Sequence, residues 1–206
     1  MLLPIKGDLI ICPEQIIQRL VKENLLGTCY PFMRNQGNVL LINKNNPKQI
    51  TGINDLIRPD IRLFISNPDT EKVSHQGYRK TVENILDLNQ LDHHAFSSSI
   101  DNASDNIVFG EKIHHREAPQ VLANNLCDVA IVYYHLALRY KRIFPGMFSI
   151  IPLGGTEQSP EPLKGNLQNQ LFVAEFKTEN NWAKPFLDCL LSDESKAIYE
   201  KHGLRQ

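Results

Sequence analysis

Short apolar runs and longer amphipathic stretches alternate along the chain. The apolar runs predict strands over residues 9–11, 39–42, 61–65, 107–109, 129–133, 148–153 and 171–176. Apolar positions spaced three and four apart predict helices over residues 13–25, 71–88, 117–125, 182–191 and 193–202, with short helical turns over 54–57 and just after 133. The polar stretches 90–106 and 154–165 are typical of loops. Strands that alternate with helices predict an α/β fold with a mostly parallel, doubly wound sheet.

Composition and charge narrow the class of protein only broadly. The 206 residues are enough for one large domain or two small ones. With 42% hydrophobic residues, 22% charged residues and a net charge of −1, the chain has the composition of an ordinary globular protein. Basic and acidic residues are interspersed, so no nucleic-acid-binding patch is predicted. No charge-free apolar run is long enough to span a bilayer.

The four cysteines, Cys12, Cys29, Cys127 and Cys189, are widely scattered. Because no pair has the CxxC spacing, the sequence argues against a structural zinc site. Two disulfides are one alternative, and buried free thiols are the favoured one.

The first six residues do not form a signal peptide, since no basic start leads into an apolar stretch and a cleavage site. Two explanations stay open. Either the protein remains in the cytoplasm, or the sequence begins downstream of the true start.

The strongest cluster of candidate functional residues is the run His114-His115-Arg116-Glu117, between a predicted strand and a predicted helix. A loop that opens a helix presents free backbone N–H groups and favours anions. Arg116 could add a bidentate contact to a carboxylate or oxyanion. Adjacent histidines point in different directions, which suits a metal poorly. The alternative is a solvated polar helix start.

Two further places are candidates. The turn at residues 67–74 leads into another helix start and would place Glu71 in its first turn, although a capped surface helix has the same pattern. Tyr133 ends a buried strand, and ligands in open α/β sheets gather beyond the carboxyl ends of strands. Core packing is the slightly favoured alternative for Tyr133. No hydrolase, P-loop or dinucleotide motif occurs, so we predict no enzyme, and a hydrolase using His114, His115 and Glu117 is only a minor alternative.

These places coincide with the motifs of a known family. The chain resembles the type II periplasmic solute-binding proteins of ABC transporters, and more narrowly a bacterial and fungal branch distantly related to the molybdate-binding proteins. Residues 113–119 look like that branch's I-H-H-R-[QE]-T-P motif, with Ala118 where Thr is usual. Residues 127–133, the Asn67-Pro68 turn, the start at 7–11 and the ending at 186–204 are similar to further family segments.

The resemblance implies a two-lobed fold with doubly wound sheets. Lobe one would comprise residues 1–46 and 166–206 and would be incomplete, because the family begins with a strand, a helix and a strand that precede this start. Lobe two would comprise 47–165, with hinges near 43–47 and 153–165. The ligand would lie in the interlobe cleft, and the residues implied to contact it are Asn67, Thr70, Glu71, His114, His115, Arg116, Glu117 and Tyr133. Neither a cofactor nor a metal is implied. Leu136 stands where the family usually has an acidic residue.

The function implied by the resemblance is capture of a small anion or polar solute in the periplasm for a membrane permease. Two alternatives have the same fold. One is a cytosolic effector-sensing domain, as in LysR-type regulators, although no helix-turn-helix precedes it here. The other is a truncated paralogue that acts through protein contacts and self-associates through its incomplete lobe.

Overall fold

The structure is a computed structural model that describes residues 7–177 and 183–206. Its strands are β1 (Leu9–Pro13), β2 (Leu26–Asn35), β3 (Asn38–Asn43), β4 (Leu63–Ile65), β5 (Ile107–Phe109), β6 (Val129–Tyr133), β7 (Phe148–Pro152), β8 (Gln170–Phe176) and β9 (Leu204–Arg205). Its α-helices are α1 (Glu14–Lys22), α2 (Lys72–Leu88), α3 (His94–Asp101), α4 (His114–Ala123), α5 (Tyr134–Ile143), α6 (Ala183–Leu190) and α7 (Asp193–Lys201), and a 3-10 helix covers Ile53–Ile57.

The chain divides into two compact units, Met1–Asn35 with Asn169–Gln206 as unit 1 and Gln36–Gln168 as unit 2. These bounds differ from the predicted lobes. The sequence prediction assigned residues 36–46 to lobe one, whereas β3 pairs with β6 and β7 and therefore lies in unit 2.

Unit 1 contains a four-stranded antiparallel sheet in the order β1-β8-β2-β9. Neighbouring residues of β8 point to opposite faces. Ala174 packs with Ile17 of α1 in one cluster, while Val173 packs with Leu187 of α6 in the other. Ser192 caps α7, because its hydroxyl accepts the N–H of Ser195 at 3.2 Å.

Unit 2 contains a five-stranded sheet in the order β5-β4-β6-β3-β7. β4 is parallel to β5 and β6. Residues that alternate along β4 face two separate cores: Leu63 and Ile65 pack against the α2 side, and Phe64 packs against the α4 and α5 side. Helices thus cover both faces, and the predicted doubly wound α/β architecture is confirmed.

The prediction of a mostly parallel sheet is wrong. Unit 1 is antiparallel throughout, and β3 runs antiparallel to both β6 and β7. The apolar pattern of a strand indicates that the strand is buried but not in which direction it runs. The first residue of β3, Asn38, lies opposite the last residue of β6, Tyr133, so the two strands are antiparallel.

Three local predictions also differ from the structure. The stretch 90–106 contains α3, because Phe96 and Ile100 lie four residues apart and are both buried. β2 was not predicted, since its two register shifts against β8 break the alternating pattern. α4 begins at His114 rather than at Glu117. The predicted helix start at Trp182 lies outside the described residues.

All four cysteines lie in the described part of the chain and are free. Cys12 and Cys127 are buried, as predicted, whereas Cys29 is partly exposed and Cys189 is exposed. Burial raises the pKa of the Cys127 thiol to about 12, so this thiol stays protonated and packs as an apolar group.

Candidate functional site

The predicted site residues follow three neighbouring strands of unit 2. Because β4, β5 and β6 are parallel, their carboxyl ends meet at one edge of the sheet. Asn67 follows β4, the loop 110–114 follows β5, and Tyr133 ends β6. We call the group formed at this edge by Ser66, Asn67, His114, Tyr133 and His135 the strand-end site.

The loop after β5 is organised by Glu117. The carboxylate of Glu117 accepts the backbone N–H groups of Glu111 at 2.8 Å, Lys112 at 2.7 Å and Ile113 at 2.9 Å. Burial by itself would raise the pKa of the Glu117 carboxyl, but these N–H groups outweigh burial and hold the pKa below its ordinary value. Glu117 therefore acts as an internal anion for this loop.

Glu71 completes the same arrangement from the turn after β4. Its carboxylate accepts the N–H of His114 at 2.8 Å. The Asn67 side-chain amide donates to the Gly110 carbonyl at 3.3 Å, and the Asn67 carbonyl accepts the N–H of Glu71 at 2.9 Å. The consecutive N–H groups of residues 111–114 are thus already bound to two carboxylates of the protein.

His114 is buried at the start of α4, with 1% of its surface exposed. Its ring stacks on Phe64 at 4.7 Å between ring centroids and lies 5.2 Å from the ring of Tyr78. Neither ring nitrogen has a hydrogen-bond partner. Burial lowers the pKa of His114 to about 4. The nearby Phe64 carbonyl favours the protonated imidazole, but it does not meet the geometry of a hydrogen bond to either ring nitrogen. Because the pKa stays well below 7, His114 is neutral at pH 7.

Tyr133 extends the aromatic cluster from the end of β6. Its ring lies 5.2 Å from that of Tyr78 and 5.7 Å from that of His135, which is nearly parallel to it. Burial lowers the pKa of His135 to about 4, and its Nδ1 atom is buried without a partner. The site therefore contains two neutral imidazoles.

Four residues in or in contact with the strand-end site were not predicted from the sequence: Ser66, His75, Tyr78 and His135. The Ser66 hydroxyl is buried without a partner, while the Ser66 carbonyl lies 2.6 Å from Nδ1 of His75. His75 and Tyr78 lie three residues apart on the buried face of α2. That spacing was a signal available in the sequence, and the ordinary interpretation of it is core packing.

The remaining predicted residues lie elsewhere. Thr70 is exposed in the turn after β4. His115 and Arg116 are exposed and line a cavity of about 630 Å³ that Arg139 of α5 also lines. The structure thus brings Asn67, Glu71, His114, Glu117 and Tyr133 together. The side chains of His115 and Arg116 instead line the cavity, although His115 is near enough to His114 and His135 to help lower their pKa values.

Within the two described ranges, no group of three or more His, Cys, Asp or Glu side chains is arranged to hold a metal ion. The helices of these same ranges include none with the length and apolar character needed to cross a membrane.

Comparison with known proteins gives the fold and the family. A family model described as bacterial extracellular solute-binding protein matches residues 5–205. The chain is similar to the substrate binding domain of a proposed molybdenum ABC transporter from Clostridium difficile (20% identity, 97% of this chain and 76% of that chain, TM-score 0.67). It is also similar to the sulfate-binding protein SubI from Mycobacterium tuberculosis (18% identity, 98% of this chain and 69% of that chain, TM-score 0.65). A third similar structure is the periplasmic molybdate-binding protein of Azotobacter vinelandii (13% identity, 98% of this chain and 80% of that chain, TM-score 0.59). No curated protein matches by sequence.

The chain has the two-lobed fold of the type II periplasmic binding proteins, as the sequence predicted. It belongs to the family of bacterial extracellular solute-binding proteins.

Proposed function

We propose that this chain is the solute-binding component of an ABC-type transporter and that the strand-end site of unit 2 contacts the solute. Family membership supports solute binding. By the same family resemblance, the protein works in the periplasm and passes its solute to a membrane permease. The proteins of this fold named above are described as binding sulfate or molybdate, or as part of a molybdenum transporter.

One observation carries the proposal. The Ser66 hydroxyl, both ring nitrogens of His114 and Nδ1 of His135 are buried without hydrogen-bond partners. Buried polar groups in folded proteins are nearly always paired, and each unpaired one costs about 1–3 kcal/mol. All of them follow parallel strands at the sheet edge where α/β folds bind ligands. A bound solute would supply the missing partners.

The hydrogen-bonding capacity of these groups favours a particular kind of solute. A neutral imidazole offers one N–H and one lone pair, and the Ser66 hydroxyl both donates and accepts. A fully deprotonated dianion accepts hydrogen bonds only, and the N–H groups of 111–114 that would suit it are bound to Glu71 and Glu117. We therefore favour a small polar solute, or an oxyanion that keeps a proton, over a bare dianion.

The test is a thermal-shift panel of molybdate, tungstate, sulfate, phosphate, small carboxylates and small hydroxycarboxylates. A solute at one hundred times its Kd stabilises the folded state by about 2.7 kcal/mol, which is readily measured. We expect the proton-bearing or hydroxyl-bearing solutes to raise the Tm and the Ser66→Ala variant to lose most of that rise. His94→Gln is the control, because His94 is exposed on α3. A folded sample whose Tm moves with no member of the panel would contradict solute capture at this site.

A second candidate function is action through protein contacts. In unit 1, β1 pairs only with β8 among the described strands, and Ile11, Ile16 and Phe186 are exposed. Open strand edges and exposed apolar side chains favour association. Sizing over a range of concentrations tests this: a strictly monomeric profile at high concentration counts against self-association.

A further inference from the structure

The cavity where His115 and Arg116 lie is formed by one face each of two helices of unit 2. Arg116, Pro119 and Ala123 of α4 face Leu136, Arg139 and Ile143 of α5, at the spacings of three and four residues that define one helix face. Because Pro119 and Ala123 are short, they leave the space opposite α5 unfilled. We call this space the α4/α5 cavity.

The volume of about 630 Å³ is in the range of small-molecule sites, roughly 300–1,000 Å³. The buried Tyr140 and Phe148 form part of the lining, and the exposed Ile143 and Met147 supply apolar surface at 52% and 44% exposure. The Tyr140 hydroxyl donates to the His115 carbonyl and thereby links the two helices. The result is an apolar pocket between helices that are tied together.

The charged groups of this cavity are all of one sign. Arg116 and Arg139 are exposed, no acidic residue lines the cavity, and neither arginine forms an ion pair within the described ranges. Arg116 also lies in the first turn of α4, where the helix dipole is already positive. Because no carboxylate of the described protein is in ion-pair contact with either guanidinium, this positive charge would attract an anion.

We propose that the α4/α5 cavity is a second binding site, for an amphipathic carboxylate with an alkyl or aryl body. The guanidinium groups of Arg116 and Arg139 bind the carboxylate, since their planar donor pairs match it. The body of the ligand covers Leu136, Ile143 and Met147. This site differs from the strand-end site, whose imidazoles are neutral and whose neighbouring carboxylates, Glu71 and Glu117, are bound to backbone N–H groups.

The experiment is calorimetric titration of the whole chain with decanoate, decanol and decylammonium below their aggregation concentrations. Saturable binding of decanoate is expected, with decanol at least tenfold weaker and decylammonium weaker still. In the double variant Arg116→Gln with Arg139→Gln, the Kd for decanoate should rise at least tenfold. Arg142→Gln is the matched control, because Arg142 is on α5 but does not line the cavity.

Filling the cavity separates this proposal from the one for the strand-end site. Ala123 is exposed near the end of α4, so Ala123→Leu should preserve the fold, as circular dichroism would check, while blocking the cavity. Decanoate binding should be lost, and any Tm rise with the polar solutes should persist. Equal affinity for decanol and decanoate, unchanged decanoate binding in the double variant, or no saturable binding by the wild type would each overturn the proposal.

Discussion

The buried imidazole of His114 makes the stability of this protein depend on pH in a predictable direction. In the folded chain burial lowers its pKa from 6.5 to about 4. On unfolding the imidazole returns to water and regains its ordinary pKa, so between these two values the unfolded state binds more protons than the folded state. The contribution of His114 to stability must therefore fall as the pH falls from 6.5 towards 4.

The size of the effect follows from the same values. When the pKa is lowered from 6.5 to about 4, the free energy of unfolding at low pH is smaller than at neutral pH by about 3 kcal/mol. About 2 kcal/mol of this loss occurs between pH 7 and pH 5. His135, whose pKa is also lowered to about 4, adds a contribution of the same sign. Carboxyl groups with lowered pKa values, such as Glu117, act mainly at lower pH. His93, whose pKa the Asp87 carboxylate raises, contributes with the opposite sign, but this contribution is common to the wild type and to a variant at His114.

The perturbation is His114→Phe, which retains the stack on Phe64 and the contact with Tyr78 but takes up no proton. At pH 7 the variant should be more stable by about 1 kcal/mol, because two unpaired buried nitrogens are removed. The difference should grow to about 3 kcal/mol at pH 5.

The assay is urea denaturation followed by circular dichroism at pH 7, 6 and 5, for the wild type, His114→Phe and His94→Gln. His94 is exposed, so its replacement should leave the wild-type pH dependence intact. If wild type and His114→Phe lose stability in parallel between pH 7 and pH 5, the imidazole is not held neutral by burial and the reasoning fails.

Two further substitutions test other parts of unit 2. Glu117→Gln weakens the hydrogen bonds from the N–H groups of 111–113 and should cost about 1–2 kcal/mol in urea denaturation at pH 7. Because the folded pKa of Glu117 is lowered, that difference should shrink as the pH falls below 4.5, and a difference that does not shrink at all between pH 7 and pH 3 would contradict the charge-based explanation. Asn166→Ala removes a buried amide that bonds the N–H of Asn38 at 2.8 Å and its carbonyl at 3.0 Å, and should cost about 3 kcal/mol. The exposed Asn102→Ala should cost far less in the same assay, and equal losses would refute this account of Asn166.

The apolar pattern predicted the framework of unit 2 well. Residues 129–132 and 63–65 are buried on both faces of the sheet, so their unbroken apolar runs have no competing interpretation as amphipathic helices. Direction and pairing could not be predicted, because β3 forms antiparallel pairs on both sides through the same kind of apolar run. β2 escaped prediction since Pro31 and the irregular register against β8 hide its alternation.

The candidate site was predictable in position but not in chemistry. Turns that follow parallel strands meet at one edge of the sheet. This topology places Asn67, Glu71 and Tyr133 at the same edge. The sequence predicts that α4 begins at Glu117, three residues later than it does in the structure. The true start determines which way the side chains of His114 and His115 point. With α4 starting at His114, that residue and Ala118 are four apart and share the buried face, whereas His115 and Arg116 are exposed.

The run His114-His115-Arg116-Glu117 thus has two opposite environments within one helical turn. On the buried side, Glu117 and Glu71 bind the loop N–H groups. A dianion could bind those groups only by displacing a carboxylate, and the free energy of the broken hydrogen bonds would be lost. On the exposed side, Arg116 lies beside an apolar cavity without a counter-charge. Positive charge and neutral hydrogen-bonding groups are therefore separated by α4. The polar solute and the amphipathic carboxylate are therefore proposed to bind at different sites.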